Sequence, residues 1–97
     1  MEKLNKIVLY VEKTDTDSKD EWVSIGDNGD LRLDVNDCGQ TPLQFWGDID
    51  YEYWRIVDKD WKDTVLLLLI KEKFKRFSDL ADWLGENKIQ NSFGSWI

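Results

Sequence analysis

Histidine is absent from this 97-residue chain. Its absence removes the commonest general acid and base, every Ser-His or Cys-His nucleophile arrangement, and the usual zinc ligands. Cys38 is the single cysteine, so no intrachain disulfide and no cysteine metal cluster can form, and a reducing compartment is expected. The six glycines make no phosphate-binding loop: Gly26 and Gly29 flank a turn and lack the strand-loop-helix setting such loops need. Long apolar runs are missing too. Ile7 to Val11 is too short for the core of a signal peptide, and Val65 to Ile70 falls far below the roughly 20 residues that cross a bilayer. The expectation is a cytoplasmic protein without membrane contact. Repeats, low-complexity segments and linkers are also absent, which leaves a single domain over residues 1–97.

Acidic charge and large rings are what the chain has in excess. Twenty Asp and Glu stand against 13 Lys and Arg, for a net charge of −7. The imbalance is local: residues 14–63 hold 14 acids and 5 bases, whereas residues 64–77 hold 4 bases and 1 acid. Such a field disfavours nucleic acid and anionic membrane and speeds encounter with a basic partner. Six Trp are present. Each can bury about 150–250 Å², so most are expected in the core, with one or two left for a binding surface.

The hydropathy pattern predicts an α+β domain. Leu4 to Glu12 reads as a strand, and Lys13 to Asp20 as a polar loop. Glu21 to Gly26 and Asp30 to Val35 form the arms of a hairpin around Asp27-Asn28-Gly29-Asp30, because Asn-Gly tolerates the positive φ of tight turns. Leu31, Leu33 and Val35 face inward in the second arm, with Arg32 and Asp34 on the wet side. A loop is expected over Asn36 to Gln40. A short helical turn opened by Thr41-Pro42 should then run to about Trp46, where Gly47-Asp48 breaks it. Ile49 to Val57 is a strand and Asp58 to Asp63 a turn. Thr64 to about Lys73 fits a buried middle strand, with a helix as the alternative because Leu is a weak strand former. Ser78 caps a helix from Asp79 to a left-handed stop at Asn87, with Leu80, Trp83 and Leu84 as its inward stripe. Ile89 to Ile97 adds a last strand. The sum is an antiparallel sheet of about five strands with one C-terminal helix packed on one face.

Little in this pattern points to catalysis. Carboxylate pairs such as Asp48, Asp50 and Glu52 occur, but no nucleophile, base and orienting group stand together, so the chain is read as no enzyme and as needing no cofactor. Asp15 to Glu21 resembles the start of a calcium loop. Its sixth position is Asp20 where Gly is wanted, and its twelfth is Gly26, which has no ligand to give. No metal site is expected. The acidic surface remains. Asp30, Asp34 and Asp37 lie on or beside the wet side of the second hairpin arm. Asp50 and Glu52 project to one side of the next strand, Trp54 continues their row, and Trp46 and Asp48 stand just before it. Carboxylates around a large ring suit a surface that grips Lys and Arg. The ordinary explanation is a solvated sheet face with Trp54 turned inward.

In size, acidic strand region and the aromatic-acidic segment Leu43-Gln44-Phe45-Trp46-Gly47-Asp48-Ile49-Asp50-Tyr51-Glu52-Tyr53-Trp54, the chain resembles the small acidic immunity proteins that bacteria pair with secreted or contact-delivered toxins. The resemblance implies a protein partner, a basic toxin or nuclease whose cleft is covered, with no direct binding of nucleic acid. A phage-type inhibitor or nucleic-acid mimic would use the same surface against a host enzyme. A self-associating module is the third reading, in which Leu66 to Ile70 and the basic Lys71, Lys73, Lys75 and Arg76 meet an acidic face of another copy. The chain is then a monomer or a homodimer.

Overall fold

The computed structural model describes residues 2–47 and 50–96, apart from the side chain of Trp46. The chain divides into two compact units, Leu4–Lys62 and Asp63–Ile97 with Met1–Lys3.

The first unit is built on its central hairpin. Gly29, at φ 91°, supplies the left-handed residue of the loop. The Gly29 N–H donates to the Gly26 carbonyl at 2.9 Å, and the Gly26 N–H to the Asp30 carbonyl at 2.9 Å. Asn28 grips Asp30 from the side chain, at 2.8 and 3.2 Å. This loop joins β2 (Asp17–Ile25) to β3 (Leu31–Gly39) in an unbroken antiparallel register from Ile25–Leu31 to Asp17–Gly39. β1 (Lys6–Lys13) pairs along the outside of β2, with a shift of register between Val8 and Tyr10. β4 (Asp50–Val57) pairs along β3, so the sheet runs β1-β2-β3-β4, antiparallel throughout.

Two segments expected to be loops are strand. Residues 17–20 begin β2, and residues 36–39 finish β3. Their polarity misleads because ladder hydrogen bonds use the backbone, and an open sheet face tolerates polar side chains. At their shared end Gly39 takes φ 121°. A Cβ there would collide with the Thr16 carbonyl oxygen and come within 2.8 Å of the Asp17 Cα. The chain then enters α1 (Gln40–Trp46), which packs on β3 and β4. Pro42 sits in its first turn and is buried, and Gly47 at φ 76° closes it, its N–H donating to the Leu43 carbonyl at 3.0 Å.

The expected fifth strand is a helix, α2 (Lys59–Lys73). Its start was hidden in the segment read as a turn. The Asp58 carboxylate accepts the Asp60 N–H at 2.9 Å, and its carbonyl accepts the Trp61 N–H at 2.9 Å. Asp30 adds a second anchor by accepting the Lys59 N–H at 2.8 Å, and Lys62 Nζ donates to the Gly29 carbonyl at 2.9 Å. With the nucleus set, the leucines propagate a helix, as their intrinsic preference favours.

α3 (Phe77–Glu86) presents Leu80, Trp83 and Leu84 as its half-buried stripe, as the spacing predicts. It begins two residues earlier than expected, on Arg76 and not on a Ser78 cap: the Arg76 carbonyl accepts the Asp79 and Leu80 N–H groups at 3.1 and 3.4 Å. Lys88, at φ 55°, holds the left-handed position expected of Asn87. The Ile89 and Lys88 N–H groups return to the Leu84 and Gly85 carbonyls at 2.9 and 3.0 Å, which is a Schellman closure. Asn87 serves through its side chain, donating to the Trp83 carbonyl at 2.9 Å. Phe74 meets Trp83 edge-on at 5.8 Å. No strand follows among the described residues after 88. Among the described residues the architecture is α+β with four antiparallel strands and three helices, in place of about five strands and one helix.

A tryptophan-rich core is not found. Among the described residues no apolar side chain other than Pro42 is buried: Trp22 and Trp83 are half-buried, and Trp54, Trp61 and Trp96 are exposed. Within the first unit, the seven residues of α1 are too few to roof a four-stranded sheet.

The Gly39 geometry makes a direct prediction. Gly39→Ala is expected to cost about 2 kcal/mol or more, since it adds both a forbidden φ and a backbone collision. Urea denaturation read by the tryptophan fluorescence checks it.

Candidate partner-binding face

Side chains alternate between the two faces of a sheet, and residues opposite each other across a ladder share a face. The register therefore writes out one face of β2, β3 and β4 as four cross-strand rows. These are Ser18–Cys38–Asp50, Asp20–Asn36–Glu52, Trp22–Asp34–Trp54 and Ser24–Arg32–Ile56. Neighbouring rows are about 7 Å apart and neighbouring strands about 4.8 Å, so the grid spans about 10 by 20 Å. It holds four carboxylates, two tryptophans and a single cation, Arg32. β1 extends it with Lys6 beside Ser24, Val8 beside Trp22, and Val11 beside Asp20.

Asp34 stands between the two indoles, and each indole carries a cation. Lys6 Nζ lies 4.8 Å from the Trp22 ring, and the Arg32 guanidinium lies 5.0 Å from the Trp54 ring. Arg32 Nε also pairs with Asp34, at 2.9 and 3.0 Å to its two oxygens. Trp54 is 54% exposed, so it is not the inward-turned ring of the ordinary explanation. Cation on ring and cation on carboxylate thus both occur among the side chains of this face.

The opposite face mixes apolar and charged residues. Val23 and Ile25 of β2, Leu31, Leu33 and Val35 of β3, and Tyr53 and Val57 of β4 share it with Glu21 and Arg55 in its middle rows, and the Tyr51 and Tyr53 rings stand 5.2 Å apart. Its polar end holds Lys19 and Asp37, paired at 3.7 Å. Beside that end lies a cleft of about 220 Å³ lined by Glu12, Asp17, Asp37 and Thr41. The Asp17 carboxylate accepts the Thr41 N–H at 2.7 Å and the Thr16 hydroxyl at 2.7 Å, so it serves as a cap that α1 lacks on its own N-cap residue. Those two bonds, the Thr41 N–H above all, hold its carboxyl below the usual carboxylate range. Asp17 and Asp37 are thereby committed within the fold. Among the described residues no cluster of three or more metal-ligating side chains occurs, and no helix is long and apolar enough to cross a membrane.

Of the eight residues expected at the site, the grid brings four together: Asp34, Asp50, Glu52 and Trp54. Asp37 lies on the other face, because β3 continues through residue 39 and residue 37 shares the parity of Leu33 and Val35. Asp30 belongs to the hairpin loop and anchors α2. Asp48 and the side chain of Trp46 lie outside the described residues. Sequence reasoning missed Trp22, Asp20 and Arg32. The signal was available: once Asn28-Gly29 fixes the turn, Trp22 takes the parity opposite to Val23 and Ile25 and falls beside Asp34.

Cys38 Sγ donates to Asp50 Oδ1 at 3.0 Å. That bond, with partial desolvation and the charge of Asp50, pushes the thiol pKa up. No family model matches this chain, and neither a curated protein nor a solved structure matches it.

Two outcomes follow from these shifts. Cys38 should react with a thiol reagent at neutral pH more slowly than a cysteine in an unstructured peptide, and Asp50→Ala should speed it. Equal rates in the two proteins would show that Asp50 does not hold the proton. For Asp17, a folded-state pKa below the unfolded one gives stability that is present above the usual carboxylate range and is lost as pH falls through the depressed value. The melting temperature of the natural chain should exceed that of Asp17→Asn at neutral pH, and the difference should shrink as pH falls through the depressed carboxyl value.

Proposed function

We propose that this chain is a protein-binding inhibitor of the immunity type, whose carboxylate and tryptophan grid covers the basic cleft of a toxin acting on nucleic acid. The observation that carries the reading is the Trp22–Asp34–Trp54 row with Asp20, Asp50 and Glu52 beside it, on one face of the sheet. A cleft that holds a nucleic acid backbone is lined with Lys and Arg. Carboxylates spaced by the sheet pair with those cations, and the indoles add desolvated area and a cation–π surface. Lys6 and Arg32 already sit on the two rings, and a partner's arginine would exchange for them or extend the same ladder. The net acidity of the chain raises the association rate, most strongly at low salt.

Affinity capture on the tagged chain from its native host, eluted stepwise with salt, tests this. The expected product is a basic protein that leaves only at raised salt and whose nucleic-acid cleavage is suppressed when the chain is added back. The triple variant Asp34→Asn, Asp50→Asn, Glu52→Gln should weaken capture by about a hundredfold or more. Capture that the triple variant leaves unchanged would remove this face from the interaction.

A further inference from the structure

The apolar residues of α2 follow no single face. Leu66, Leu67, Leu68 and Leu69 are consecutive, so they point around the whole helix, and each is 54–66% exposed. A stretch of helix that is apolar all round, as the middle of α2 is, is stable when other protein surrounds it. One row of α2 says which protein. Asp63, Leu67 and Lys71 are spaced four apart and stand one above the other. Asp63 and Lys71 are both exposed, and among the described residues neither makes an ion pair. Lys59 opens the same row, and from Asp63 to Lys71 it runs acid, apolar, base. That stretch is complementary to itself read backwards.

We infer that α2 pairs antiparallel with α2 of a second copy of this chain, about a two-fold axis at Leu67. Asp63 of each copy then faces Lys71 of the other, and the two Leu67 side chains meet on the axis. The contact is isologous, so one attractive pair occurs twice. A parallel pairing would set Asp63 against Asp63 and Lys71 against Lys71, which fixes the direction. Helix axes about 8–10 Å apart bring the flanking leucines into contact as well. α2 is about 22 Å long, so the buried area falls below that of a standard interface, and a dissociation constant on the order of micromolar is expected. The pairing does not depend on the function proposed for the carboxylate grid.

Sedimentation equilibrium of the full chain across the micromolar range tests the pairing. The expected result is a reversible monomer–dimer equilibrium. Asp63→Lys and Lys71→Asp each place like charges opposite one another at two symmetric positions and should weaken the dimer about tenfold. The double variant Asp63→Lys, Lys71→Asp restores both pairs in reverse and should recover the natural affinity. Should far-UV circular dichroism show helix loss in a reversal, Asp63→Asn and Lys71→Gln take its place, with a smaller weakening expected from each. A chain that stays monomeric throughout, a dimer indifferent to the single variants, or a double variant that fails to recover would each overturn the pairing.

Discussion

The unbroken register between β2 and β3 is the constraint on which the rest depends. Among the described residues of the sheet unit no apolar side chain except Pro42 is buried, so backbone ladder bonds and cross-strand side-chain pairs carry much of its stability. Gly29 sets that register at one end and Gly39 closes it at the other, where a side chain would strike Thr16. A slip of one residue would carry Trp22 to the face of the leucines, away from Asp34, and dissolve the grid. The hairpin loop also starts α2, since Asp30 and Gly29 accept from Lys59 and Lys62. One loop thus governs both strand alignment and the launch of a helix 30 residues later in the chain.

In the proposed function, the acidic surface would serve recognition as well as solubility. Four carboxylates on a flat lattice would repel one another in water and gain little from surface pairing alone. Their arrangement around two indoles changes the balance. A ring face adjacent to a carboxylate offers a cation both dispersion and charge, and Lys6 and Arg32 occupy such positions within the chain. The same geometry that steadies the open sheet from within is suited to a basic partner from outside. The Cys38 thiol donates to Asp50 at the corner of the grid, and that bond raises the thiol pKa.

The reading of the residues reached the meander only in part. Asn28-Gly29 located the central hairpin, and alternation in Leu31, Leu33 and Val35 assigned the faces, because both are local properties of the chain. Residues 17–20 and 36–39 escaped because they are polar or small throughout, and hydropathy carries no period there. The leucine run was ambiguous for the converse reason: six consecutive apolar residues fit a buried strand and a helix equally. Asp58 decided it through two hydrogen bonds of the first turn.

By itself, then, the sequence determined the α+β class, the absence of histidine and disulfide chemistry, the acidic bias, and the parity that puts Asp34 opposite the leucines. Each of these follows from composition or from neighbours a few residues apart. The assembly of Trp22, Asp34 and Trp54 into one row was decided only by tertiary structure, because it joins residues from three strands through register. The same holds for Asp37, which pairing sends to the far face, and for Asp17, whose carboxylate caps a helix 24 residues further on. Register and long-range capping are set by which backbone groups find each other, and hydropathy does not encode that choice.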